Sequence, residues 1–189
     1  MKASFQTLRD TYNELISDVE HAKSLDTNTY SEGFIKRTYT RAYFAMVEGV
    51  IAQLSSLAIQ INGVEQRLST DEIALLSLLE PFVGDNGRVK TRKRKTPMKQ
   101  LLLHTLKSFC KVVESDVNVD IGNHRWEDFL HSIRIRDRLT HPKNLDSLNV
   151  SDDDMMKLGR ANEWFRDTVA SILDSVTNET RLRHWGDDT

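Results

Sequence analysis

One cysteine in 189 residues, Cys110, excludes an internal disulfide framework and any zinc site built from several thiolates. It falls inside an apolar helical pattern, so a buried structural thiol is expected rather than a nucleophile. A large excess of either charge is also missing: 26 Lys and Arg stand against 28 Asp and Glu, for a net charge of −2. Bulk electrostatics therefore do not draw this chain to nucleic acid, and any such contact must come from local basic patches. No N-terminal apolar run resembles a signal peptide, and no run approaches the about 18 apolar residues of a membrane span. A cytoplasmic protein without a membrane segment is expected. No set of His, Asp and Glu has metal-ligand spacing, so neither a metal nor another cofactor is expected. The Asp152-Asp153-Asp154 cluster fits helix capping better than metal binding.

What is present is helical periodicity. Residues 3–23 place Phe5, Leu8, Tyr12, Leu15, Val19 and Ala22 at steps of three and four, which is one buried helical seam. After a polar loop, a long second helix is expected over 32–60, with Met46, Val50, Leu54 and Leu57 inside and Asn62-Gly63 ending it. Gly49 within it would admit a close-packed neighbour. Arg41 and Glu48 lie two turns apart on one face of this helix.

Ser69 to Glu72 reads as a capping box for a short apolar helix, which Pro81 should end. The dipeptide Asn86-Gly87 between β-favouring runs predicts a small hairpin near 82–90. Thr96-Pro97 predicts an N-cap and a first helical residue, opening a helix that runs to about Glu114. A last helix is expected from the Ser151–Asp154 cap to about Val176, with Trp185 placed to anchor the tail. The length suits a single domain over 1–180 with a charged tail at 181–189. The fold class is thus all-α: an up-and-down bundle of about four long helices and one or two short ones.

Two stretches carry charge that could do chemistry. Residues 88–99 gather Arg88, Lys90, Arg92, Lys93, Arg94, Lys95 and Lys99 without interleaved aromatics. That composition suits either a solvated loop or phosphate attraction, but not base stacking. The second stretch is Arg134-Ile135-Arg136-Asp137-Arg138-Leu139-Thr140-His141-Pro142-Lys143. An amphipathic helix carrying Trp126, Phe129, Leu130 and Ile133 runs into it, and Pro142 biases His141 away from the α region. On an unbroken helix Arg136 and His141 would point about 140° apart. A stop near Leu139 or Thr140 lets the imidazole fold back towards the guanidinium. Histidine moves protons near neutral pH, and arginine holds phosphate oxygens as a permanently charged fork.

Arg136 to His141, an arginine followed by a polar residue and then a histidine at the end of a late helix, is similar to the motif of the HEPN ribonucleases. The resemblance extends over most of the chain, and it implies a HEPN-like bundle that dimerises with two motifs facing one another. It also implies metal-independent RNA cleavage of the toxin or phage-defence type, with 2′-OH attack and 2′,3′-cyclic phosphate ends. Arg136 and His141 would be catalytic, and Asp137, Glu48 and Arg41 would support them. Lys143, Arg134, Arg92, Lys93, Arg94 and Lys95 would contact RNA, and a partner protein could inhibit or activate the enzyme. Arg134 with His141 also fits the looser spacing, and Arg125 with His131 does so inside a continuous helix. Members paired with minimal nucleotidyltransferases carry a tyrosine two residues after the histidine; Lys143 stands there, so the resemblance does not extend to that pairing. The alternative is a non-catalytic helical dimer, in which Arg136 and Asp137 form structural ion pairs and His141 caps a helix.

Overall fold

A computed structural model describes residues 2–184; of residues 2–4, 93 and 177–184 it describes the backbone alone. It shows a mostly α-helical bundle with one small antiparallel hairpin. The elements are α1 (Lys2–Lys23), α2 (Glu32–Glu65), α3 (Thr70–Leu76), β1 (Leu79–Val83), β2 (Val89–Lys93), α4 (Met98–Val113), α5 (His124–Thr140) and α6 (Asp152–His184). A single 3-10 turn, Leu145–Leu148, lies in the expected 144–149 loop.

The axis of the bundle is α2. Its buried residues, among them Tyr43, Phe44, Met46, Val47, Val50, Ile51, Leu54 and Ala58, leave little of its circumference to solvent. That composition makes it long and apolar enough to cross a membrane by length and content alone; here it is covered chiefly by α1 and α4. A Cβ on Gly49 would stand 2.6 Å from Leu15 Cδ1, so the missing side chain is what lets α1 lie against α2. Between α2 and α4 the buried Ser55 and Thr105 hydroxyls bond at 3.0 Å, which satisfies two polar groups inside an apolar seam.

Local sequence signals were displaced in three places. Asn62-Gly63 does not end α2: Asn62 is buried and its Oδ1 accepts from the Leu68 amide at 2.6 Å, so the left-handed turn moves on to Gln66. Pro81 does not end α3, which stops at Leu76 before the left-handed Leu78. Pro81 instead sits in β1 opposite Thr91, where an edge strand tolerates its missing N–H. Thr96 does not cap α4; Pro97 holds the N-cap position without a side-chain bond, and the buried Thr96 hydroxyl has no partner among the described residues. The hairpin itself closes through Gly84, Gly87 and Arg88, with Gly87 at φ +71°, the left-handed position a short hairpin loop requires.

The motif helix is fixed at both ends. Asn123 caps α5 by accepting from the Trp126 amide at 2.9 Å. Within it, Trp126 and Phe129 pack against Trp164 of α6, and Phe129 also meets Phe44 of α2 and Phe165 of α6. Ion pairs then zip α5 to α6, Arg125 to Asp167 at 2.8 Å and Asp128 to Arg160 at 2.6 Å. Ser151 and Asp154 form the expected reciprocal cap of α6. The helix backbone continues past Val176 to His184, while Trp185 and the rest of the tail lie outside the described residues.

Glu72 ties α3 to α4. Its carboxylate accepts from the Ser69 amide at 2.7 Å and from Lys111 Nζ at 2.9 Å. The Ser69 amide first, and then Lys111, hold its pKa down from the usual 4.5 to about 2. A carboxylate depressed by folding stabilises above its unfolded pKa and loses that contribution as pH falls through the folded value. Chemical denaturation should therefore show stability falling between about pH 4.5 and about pH 2. Glu72→Gln should flatten that limb, and an unchanged acid limb in the variant would remove the assignment.

Candidate functional site

The motif is assembled where α5 ends. Its last hydrogen bond runs from the His141 amide to the Asp137 carbonyl at 3.0 Å, and His141 itself has left the helix at φ −127° and ψ 64°. Pro142 enforces that exit. The His141 imidazole is exposed and hydrogen-bonds to no described residue. It does not fold back into a hydrogen bond with Arg136.

Arg136 instead donates to two carboxylates. Nη1 reaches Asp137 Oδ1 at 2.9 Å, and Nη2 bonds to Glu48 Oε1 of α2. Burial opposes the guanidinium charge, but these two carboxylates more than offset it and hold the pKa above the usual arginine range. Asp137 thus touches both motif residues, Arg136 through its side chain and His141 through its carbonyl. Glu48 reaches Arg136 from α2. Arg41 does not: it is exposed, with no ion pair to any described residue. Counting one arginine and two carboxylates, the cluster carries a net negative charge, while Arg136 keeps N–H donors beyond the two it gives to the carboxylates.

The neighbouring arginines face elsewhere. Arg138 turns to α6, donating to the Asn149 carbonyl at 2.6 Å and to Asp154 at 3.3 Å. Arg134 lies 3.4 Å from His131 Nδ1, and His131 Nε2 lies 2.7 Å from Asp154 Oδ1. Burial raises the Asp154 pKa, yet the bonds from His131, Ser151 and Arg138 outweigh it, and the carboxyl stays below its usual range. The sequence offers His131 only at motif spacing from Arg125, inside a continuous helix, and the structure pairs it with Asp154 instead. Its partner is supplied by the register of α5 on α6, for which no local spacing gives a signal. Lys143 is exposed, with its amide 3.3 Å from the Ser147 hydroxyl.

Arg136 and Glu48 also form one end of an open groove of about 520 Å3. Its walls are largely aliphatic, from Ile51 and Ile59 of α2 and Met98 and Leu101 of α4, and the root of the hairpin borders it at Leu78 and Thr96. The basic run is therefore part strand and part irregular backbone: Lys90, Arg92 and Lys93 lie in β2, Arg94 and Lys95 follow it before α4, and Lys99 lies in α4. Arg92 is occupied, bonding to Glu80 at 2.6 Å and lying over the Phe82 ring. Arg88, Lys90, Arg94 and Lys95 are exposed; the Lys93 side chain lies outside the described residues.

No family model matches this chain, and neither a curated protein nor a solved structure does.

Two measurements follow from the charges. Glu48→Gln keeps an acceptor for Arg136 and removes one negative charge, so single-stranded RNA should bind severalfold more tightly in fluorescence anisotropy; weaker binding would contradict the charge argument. Alanine at Lys90, Arg94 and Lys95 together should weaken binding and flatten the plot of log affinity against log salt by about 0.7 for each phosphate no longer neutralised. An unaltered slope would show that these three cations do not contact RNA.

Proposed function

We propose that this protein is a metal-independent RNA endonuclease of the toxin or phage-defence type, working in the cytoplasm as a homodimer. The observation that carries the reading is the end of α5. There a free imidazole follows, after one broken helical turn, an arginine that a second helix holds in place. His141 serves as the proton-transfer group, and an uncommitted imidazole suits that task. Arg136 holds the phosphate and stabilises the charge that builds on it during attack.

Attack by the ribose 2′-OH needs a base on one side of the phosphorus and an acid at the departing 5′-oxygen. The 2′-oxygen bonds to phosphorus as the bond to the 5′-oxygen breaks. One proton leaves the 2′-OH and another arrives at the leaving oxygen, so a 2′,3′-cyclic phosphate and a 5′-hydroxyl result. One chain contributes one motif histidine, and two opposed copies supply both roles. Arg134 and Lys143 flank this path on the same chain segment, and the basic run adds long-range attraction. A partner protein that covers or exposes the motif would govern activity.

A second reading is favoured by one observation: both carboxylates on Arg136 already satisfy it as a structural ion-pair centre. In that reading the fold is a non-catalytic dimeric binding module. Cleavage of a structured RNA in EDTA separates the two. Wild type should cut and leave cyclic phosphate ends, DNA of the same sequence should resist, and Arg136→Ala and His141→Ala should each lose at least about a hundredfold in rate. Undiminished cleavage by His141→Ala would refute the catalytic assignment.

A further inference from the structure

The basic run of residues 88–99 offers cations without rings, so it cannot stack bases. Rings stand instead at the start of α2. Tyr30, just before the Ser31 cap, and Phe34, in the first turn, are stacked with their centroids 5.3 Å apart and 22° between their planes. A pair that only fastened the chain to the helix would bury itself, yet Tyr30 keeps 43% of its surface in solvent and Phe34 40%.

The same face of α2 ties these rings to the motif. Phe34, Arg41 and Glu48 recur at seven-residue steps, so they lie within about 40° of one another around the axis, with about 21 Å from first to last. Arg41 is exposed, without an ion pair to any described residue, and Glu48 holds Arg136. The chain that carries His141 passes along this side. Arg136 stands at Glu48, and beyond the end of α5 the Leu148 carbonyl accepts from Arg37 Nη1 at 3.4 Å. His141 and Lys143 lie on the chain between those two levels, and Arg37 is within about 60° of Phe34 around α2. The carboxylates of Glu32 and Asp152 share Lys36 at 2.5 and 2.6 Å, and Glu32 lies on the far side of the helix from Phe34.

We propose that Tyr30 and Phe34 form a stacking platform for a base of single-stranded RNA, a few nucleotides from the phosphate on Arg136, with Arg41 taking a phosphate between them. The proposal rests on the reading of Arg136 as a phosphate holder. Every base has a π-face, so the platform accepts any sequence. Arg41 is equally indifferent, since its permanently charged fork meets only phosphate oxygens. A duplex keeps its base faces covered and gains nothing at the rings. The platform thus supplies affinity at a distance from the net negative cluster around Arg136.

Fluorescence anisotropy on the His141→Ala protein tests this without turnover. The probes are a single-stranded oligoribonucleotide of about eight nucleotides and its abasic counterpart, which keeps the phosphates and lacks the bases. Phe34→Ala should weaken binding of the first about tenfold and leave binding of the second unchanged, and Phe34→Trp should keep the original affinity. Arg41→Gln should weaken both and lower the slope of log affinity against log salt by about 0.7; an unaltered slope removes Arg41 from the path. Both side chains are exposed, so helical content should not change. Equal losses for the two oligonucleotides, no loss in Phe34→Ala, or no binding of either overturns the platform. A change of sedimentation mass in Phe34→Ala overturns it as well, because the rings would then join two copies of the chain. Normal binding by Phe34→Ala beside cleavage that depends on Arg136 and His141 discards the platform and leaves the ribonuclease reading standing. Base-dependent loss in a protein that cuts no RNA keeps the platform and discards the catalytic reading.

Discussion

The aromatic interlock around Phe129 is the contact on which the placement of everything else on α5 depends. Phe129 is fully buried between Phe44 of α2 and Trp164 and Phe165 of α6, with Trp126 stacked beside it. Large rings in a close-packed core leave almost no freedom of rotation about a helix axis. Once that rotation is set, residues two apart on α5 point about 200° apart. Arg136 must then face α2, and Arg138 must face α6. The two arginines sit in near-identical local sequence and do unrelated jobs. One meets Glu48 at a groove, and the other binds a loop carbonyl and the cap of α6.

That division explains why a motif recognisable from spacing still needed the structure to interpret it. The broken helix before Pro142 was legible because proline constrains its predecessor whatever the fold. The helical seams were legible from apolar spacing, and the tight packing at Gly49 from the missing side chain. Signals that compete with tertiary contacts were not. Asn62 marks a turn in sequence, yet its buried side chain ties down Leu68 and the helix runs on. Thr96 has the chemistry of a cap, but the hairpin's return sets the start of α4 one residue later. Arg41 and Glu48 look equivalent on a helical wheel, and only Glu48 lies where α5 crosses.

His131 shows the limit most plainly. Its one signal in the sequence, the spacing from Arg125, points to the wrong partner, because Asp154 lies across the α5–α6 seam. The pairing continues the ladder of Arg125 with Asp167 and Asp128 with Arg160. Which rung meets which depends on the register, and the register depends on the aromatic core. Spacing rules within one helix see none of this.

The distribution of charge has a further consequence. The seven cations of residues 88–99 offset an otherwise acidic chain, which is why the near-neutral total conceals them. At the motif the local sign is the opposite, since two carboxylates surround one guanidinium. The two signs of charge therefore lie at different places on the chain. On the proposed reading, a polyanion drawn by the basic run at long range would meet a negative gate at Arg136. Such a gate costs affinity for any phosphate, and more for one that cannot also gain contacts nearby.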